Sequence, residues 1–469
     1  MQVMEIHAGI PFQPIRQFTY PFAARAAFVL TDHCDFDNEE KLNTFLYANN
    51  NDGWLNKGLK ISKGVFALGP KEGEPKKNAS LEDADYKSLI EILFKDGSEI
   101  IPHALKSKGQ LSTVEFHSAL QILKEQFHSA TWIDHGSYLK YCYSQGAKEN
   151  PDYLLVDTLK KYGYNNLWSF HDVNLEANDN LNIFATKQIF PFKVLLLSIK
   201  YFFTGKWLVS AHYLRSIIHR NYSKNIVVEY LMYAMAGTKG IFINLKNRKY
   251  TLLKDISVYF KSLFTFNSHK NNSPVPYKSD DVLKFCAPLF LEDRRPLAQY
   301  AKGDLLMFST FETTHLVDIY NKKALDKLIA EYGTHIGHTY ILNDLPYINS
   351  IFKKKKGKYF LAEKWVIFLN VLSGYVKEKK IWNPNMSEYA DYIIALQSVS
   401  LNYISETEAE LINENANDIK GYTMITPSNY NSEFLLNGKK VQAFLSDSNY
   451  HFFVFTLPAK SKLNITFSK

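Results

Sequence analysis

Short apolar runs with strand character recur along most of the chain, and polar loops and helix-like stretches separate them. The runs are Ala26–Thr31 (AAFVLT), Glu99–Ile101, Thr131–Ile133, Leu167–Phe170, Leu289–Leu291, Leu305–Phe308 and Thr334–Thr339. Between them, Thr113–Gln126 sets Val114, Leu120, Ile122 and Leu123 against Glu115, Lys124 and Glu125, and Ala324–Tyr332 follows Asp318 with helical spacing. Strand–helix alternation of this kind predicts an α/β fold, a parallel sheet covered by helices.

Two regions break the alternation. Residues from about 175 to 285 carry long apolar, helix-like segments and a Ser/Asn/Lys/Pro-rich loop, and are expected to be a helical insertion in the barrel formed by residues 1–400. Within the insertion, IFPFKVLLLSIKYFF (189–203) is shorter than the ~20 apolar residues of a spanning helix. It reads as a buried helix with a polar edge, or as a helix lying in a membrane interface, which would make residues 189–209 a peripheral contact. From 401 to 469 the texture changes to short alternating runs, and Asn437-Gly438 is a hairpin turn signal. That stretch predicts a C-terminal antiparallel β-sandwich. KKKKGK (353–358) reads as a basic loop, a solvated turn or a contact for an anionic partner.

Composition narrows the classes. The chain has 469 residues, 46% of them hydrophobic, which excludes disorder. Its three cysteines, Cys34, Cys142 and Cys286, have no paired spacing, which excludes a disulfide framework or zinc ribbon and fits a reducing compartment. A formal charge of +8 is mild for this length and does not argue for nucleic acid. The N-terminus lacks the basic and apolar regions of a signal peptide. The expected location is cytoplasmic, with the inner membrane as a peripheral contact.

The chemistry-bearing residues are placed by pattern. Asp32-His33-Cys34-Asp35-Phe36-Asp37 follows AAFVLT, Pro102-His103 follows EII, Asp134-His135 follows TWI, His171-Asp172 follows LWSF, and THIGHT contains His335 and His338. Carboxyl ends of parallel strands converge on one face, where α/β sites are built. Carboxylates and imidazoles together suit zinc or another divalent first-row metal. His33, Asp35, His103 and His135 are the candidate ligands, Asp32 the candidate base and His338 the candidate acid. A cap function explains part of the acidic cluster, since Asp37 or Asn38 suits the start of the helix NEEKLNTFLY, but Asp32 and His33 come too early for that role. Aromatics such as Trp132 suit stacking on sugar rings and also suit a core. G-x-S-x-G, GxGxxG and P-loop patterns are absent.

VLTDHCD, EIIPHALKS and THIGHTY together resemble the polysaccharide deacetylase superfamily, of the NodB-homology or carbohydrate esterase family 4 type. The resemblance spans roughly residues 20–345, including the helix run HLVDIYNKKALDKLIAEYGTHIG before the last strand. It implies a NodB-like deformed (β/α) barrel and a metal-dependent hydrolase that removes an acetyl group from a carbohydrate or polysaccharide precursor. It places His338 at the family's catalytic His. Three departures stand out. Ser107 occupies the place of the second motif His, so His135 is expected to supply that imidazole. His33 stands at the second Asp position, with Asp35 expected as the carboxylate ligand. No Arg-x-Pro-aromatic-Gly motif is present, so Arg294 or Arg295 is expected to contact substrate. The departures also fit a non-catalytic glycan-binding or polysaccharide-assembly protein.

Overall fold

The structure is a computed structural model. It describes residues 14–48, 52–71, 73, 78–108, 111–134, 155–169, 173–174, 181–182, 192–205, 210, 282–285, 305–308, 310–313, 315–345 and 348–467. The first antiparallel piece is β1 (Arg16–Gln17). The parallel core begins with β2 (Ala26–Asp32), whose seven residues are all buried, as expected of a strand covered on both faces. Then come β3 (Ser62–Val65), β4 (Glu99–Pro102), β5 (Thr131–Asp134), β6 (Asn166–Ser169), β7 (Val173–Asn174), β8 (Val282–Phe285), β9 (Leu305–Phe308), β10 (Phe311–Thr313) and β11 (Thr334–Thr339).

One parallel sheet runs β4-β3-β2-β11-β10-β7, and a short strand, Ile381–Trp382, pairs with the beginning of β2. A second parallel sheet runs β5-β6-β9-β8. The two sheets adjoin where the Ser129 hydroxyl, just before β5, donates to the Ile100 carbonyl of β4. The result is a mixed α/β molecule with a curled parallel half-barrel.

Helices cover it. They include α1 (Glu39–Tyr47), α2 (Ala84–Lys95), α3 (Thr113–Phe127), α4 (Leu155–Lys161), α5 (Phe192–Phe203), α6 (Leu316–Ile319), α7 (Lys322–Ala330), α8 (Glu363–Lys377) and α9 (Met386–Gln397). Local chemistry sets their starts. The Asn38 side chain accepts from Lys41 N to open α1, so Asn38 and not Asp37 is the cap. Ser112 and Glu115 form a reciprocal capping box on α3, as Asn385 and Glu388 do on α9. The stretch 189–203 forms α5 in part, but not as a fully buried helix: Leu196, Ile199 and Phe203, spaced along one face, are exposed, while Ser198 is buried and exchanges hydrogen bonds with Ser210. Among the described residues no helix is long and apolar enough to cross a membrane. Most of the expected insertion, and the run Leu289–Leu291, lie outside the described residues.

Beyond α9 lie two antiparallel sheets. One contains Val399–Tyr403, Glu408–Asn413, Ser461–Phe467, Glu433–Leu436 and Lys439–Gln442 in that order. The other contains β1, Ile419–Pro427, Tyr450–Leu457 and Leu445–Ser446. They meet through Phe434 against Phe453, with ring centroids 4.7 Å apart. Asn437 and Gly438 both adopt positive φ (50° and 76°), the geometry of the expected two-residue turn. The chain's first described strand belongs here and not to the barrel, because Arg16–Gln17 pairs with Met424 and Ile425. KKKKGK is a strand pair and not a loop: β12 (Phe352–Lys355) pairs with β13 (Lys358–Leu361).

Candidate metal centre

Four neighbouring strands deliver the site at their carboxyl ends: β4, β3, β2 and β11. His33 leaves β2 and is held by its backbone N–H on the Thr339 carbonyl of β11, 2.9 Å away. His103 leaves β4, and its N–H donates to the Val65 carbonyl of β3. After His103 the chain passes through two left-handed non-glycine residues, Ala104 (φ 53°) and Leu105 (φ 56°). That is a sparsely populated conformation for side-chain-bearing residues and tends to cluster at functional sites.

The two imidazoles converge. His103 Nε2 lies 2.8 Å from His33 Nδ1. Asp35 Oδ2 lies 3.4 Å from His33 Nδ1 and 3.6 Å from His103 Nε2. One donor atom from each of His33, Asp35 and His103 falls within 4.8 Å of the other two. Both histidines are buried, and Asp35 is about a third exposed (34%). Two imidazoles and one carboxylate on a rim open at the carboxylate side make a donor set that fits a divalent ion. The carboxylate comes from the loop after β2, three residues past the strand's end, and the second imidazole of the group is that of His33.

His338, on β11, stacks on His33 with ring centroids 4.2 Å apart and planes at 27°. Tyr340 closes the same corner, 4.8 Å from the His33 ring and 5.2 Å from His338. Phe66 walls the far side of His103 at 5.2 Å. A titratable imidazole thus lies against the cluster without belonging to it.

Asp32, expected as the base, is engaged by other partners. Successive strand side chains point to opposite faces, so Asp32 turns from the side that His33 takes. It is fully buried. Oδ1 accepts from the Thr339 hydroxyl (2.9 Å) and from Ile341 N–H (2.6 Å), and Oδ2 pairs with Lys63 Nζ at 2.8 Å. The same Lys63 reaches Asp37 Oδ2 at 2.7 Å, and Asp37 Oδ2 also accepts from the Tyr86 hydroxyl. Burial alone would depress the Lys63 ammonium, but Asp32 and Asp37 outweigh it and hold the group above the ordinary lysine range. Burial pushes Asp37 up, against the pull of Lys63. Burial, reinforced by Asp37, also pushes the Cys34 thiol well up, which disfavours a reactive thiolate there. This ion-paired knot ties the ends of β2, β3 and β11 together beneath the site, and Asp32 is an anchor of the loop that bears His33 and Asp35.

Trp132, expected to contact substrate, is buried, with its indole edge-on to Phe116 and Tyr164. The expected ligand His135 and the expected substrate contact Arg294 lie outside the described residues. The pattern reading missed Lys63, Gly64, Phe66 and Tyr340. SKGV carries too little apolar character to announce a strand, although a lysine and a glycine inside an otherwise strand-spaced segment mark a polar contact and a close approach. His335 and His338 are three apart on one strand, which places them on opposite faces. His335 is in the core, with Nε2 accepting from the Tyr320 hydroxyl (2.9 Å) and Nδ1–H donating to the Leu181 carbonyl (3.0 Å).

Compared with known protein families and with curated proteins, the chain matches none of them.

Proposed function

We propose that the chain is a metal-dependent hydrolase that removes an acyl group, acetyl above all, from a carbohydrate or polysaccharide precursor. The observation that carries this reading is the convergence of His33 and Asp35, from the loop after β2, with His103, from the end of β4. A divalent ion, with zinc the favoured candidate for this donor set, would supply Lewis-acid activation of water and of the acyl oxygen. The chain's own residues do the rest. The Lys63 knot holds the His33–Asp35 loop in register. His338, stacked on His33, is positioned to take a proton from the attacking water and return it to the leaving sugar oxygen or nitrogen. Phe66 and Tyr340 limit water at the imidazoles. The sequence resemblance to the polysaccharide deacetylase superfamily supports the substrate class.

The test is a zinc titration of chelator-treated full-length protein by calorimetry, run beside acetate release from acetylated chitin and xylan oligosaccharides. One ion per chain is expected, with affinity falling by about tenfold or more in His103→Ala. His338→Ala is expected to keep the ion and lose turnover. Absence of a bound ion, or equal affinity in His103→Ala, would overturn the reading.

A further inference from the structure

A groove of about 600 Å³ lies a few residues along the chain from the proposed centre, lined among others by Asp318, Asp344, Phe352, Lys353, Lys354 and Tyr359. The chain itself connects the two. Tyr340 packs on His33, Ile341 N–H donates to Asp32, and Asp344 lies at the groove. Four residues of extended chain span at most about 14 Å, so the groove starts within that reach of Tyr340.

Of the groove's three carboxylates, Glu363 is exposed at the start of α8 and the other two are engaged. Asp344 is bonded to Lys41 (3.2 Å) and to the Tyr359 hydroxyl (2.6 Å), and Asp318 to Lys364 (3.4 Å) and the Asn349 amide. The hairpin β12–β13 that walls the groove is different. Its sequence, FKKKKGKYFL, holds five lysines and no carboxylate. All five are exposed. Among the described residues no carboxylate pairs with Lys353, Lys355, Lys356 or Lys358. Lys354 lies over the Tyr359 ring, 4.6 Å from its centroid.

These lysines work against the hairpin that carries them. Lys355 and Lys358 are directly opposed across the strands, and like charges there are destabilising. Lys356 takes φ 48° at the turn, a position that suits Gly, Asn or Asp. A two-stranded ribbon is marginal on its own, so it tolerates such costs poorly. Protection of an exposed strand edge accounts for a lysine or two on β12. It does not account for a lysine in the left-handed turn.

We propose that the hairpin and its groove bind the acidic part of the substrate, a glycan carrying repeated carboxylates such as uronate residues, and lead its chain toward the metal centre. This assignment rests on the hydrolase reading for its direction, not for its chemistry. The lysines are strung along both strands and the turn and do not converge on one point, which suits single charges repeated along a polymer and not one compact phosphate. The groove beside them gives the sugar backbone a seat, with Tyr359 in its wall, that a flat lipid surface would not use.

The test is binding of de-esterified oligogalacturonate to the full-length protein by calorimetry at low and moderate salt, with neutral chitin oligosaccharide, inorganic polyphosphate and phosphatidylglycerol vesicles as comparison probes. Binding of oligogalacturonate that weakens with salt is expected, together with at least a tenfold loss in the variant Lys355→Gln/Lys356→Gly/Lys358→Gln. Because that variant removes a like-charge pair and a strained lysine, its melting temperature is expected to equal or exceed that of the parent, which separates lost binding from lost folding. Equal affinity in parent and variant overturns the proposal, and so does hairpin-dependent binding confined to polyphosphate or to vesicles. Binding is read without turnover, so failed acetate release in the same preparation counts against the metal-centre reading alone, and failed oligogalacturonate binding counts against the hairpin alone.

Discussion

His335 shows how one side chain can carry a role that its neighbours in sequence do not suggest. THIGHT presents two histidines, and one strand sends them to opposite sides of a sheet. His338 goes to the rim. His335 goes to the core, stacked between Phe28 and Phe311 and hydrogen-bonded at both ring nitrogens. Burial drives its pKa down to about 4, with the Leu181 carbonyl opposing weakly. An unfolded chain protonates the same group near ~6.5. Between those values the unfolded state takes up a proton that the folded state refuses, so stability falls as pH drops from about 6.5 to 4 and is unaffected by this group above that window. Urea denaturation of the parent and of His335→Leu should show a stability gap that is widest at neutral pH and narrows by about 3 kcal/mol on going to pH 4. A gap that does not change with pH would show that His335 is not buried as a neutral ring. Lys63 is the complementary case, a charge kept in the interior because two carboxylates hold it.

At the scale of elements, strands rich in apolar residues were legible and a polar one was not. The pattern placed β2, β4, β5, β6, β9 and β11 within a residue or so of their observed limits, because a strand in a parallel sheet must bury nearly every position. β3 escaped, since Ser62, Lys63 and Gly64 look like a loop until their partners are known. Gly64 is there for proximity: a Cβ at that position would run into the Asp32 backbone carbonyl and touch His103 and Ile133 at 3.4 Å. Gly64→Ala should therefore push β3 from β2, cost about 1–3 kcal/mol in urea denaturation and weaken zinc binding in the same protein. If the variant melts and binds as the parent does, the spacing of β2, β3 and β4 does not set the geometry of the centre. The basic hairpin reads as a loop for a related reason: a run of lysines gives no alternating pattern, so pairing is decided by the facing strand.

For the whole molecule, the two ends of the chain matter together. Phe18 is buried between parts distant in sequence, edge-on to Tyr332 after α7 and to Phe452 of the second antiparallel sheet. Its N–H donates to the Thr423 carbonyl, and Arg25 N–H donates to the Lys380 carbonyl. The segment before β2 is thus a strap between barrel and sheets. Phe18→Ala should cost about 3–5 kcal/mol, read as a shift in the urea midpoint of the full-length protein. A loss below about 1 kcal/mol would mean that the strap carries little of the stability.

What the sequence determined by itself is periodicity and chemical inventory: which stretches must bury their faces as strands or helices, and which imidazoles and carboxylates stand at their ends. Those follow from local rules, since a strand alternates and a helix turns wherever it is placed. Which of these groups share a centre was decided only by tertiary structure. Strand order sets Asp35 beside His33 and His103, register sets Lys63 against Asp32, and the sheet's two faces divide His335 from His338. Distances of that kind depend on neighbours far along the chain, and no local pattern contains them.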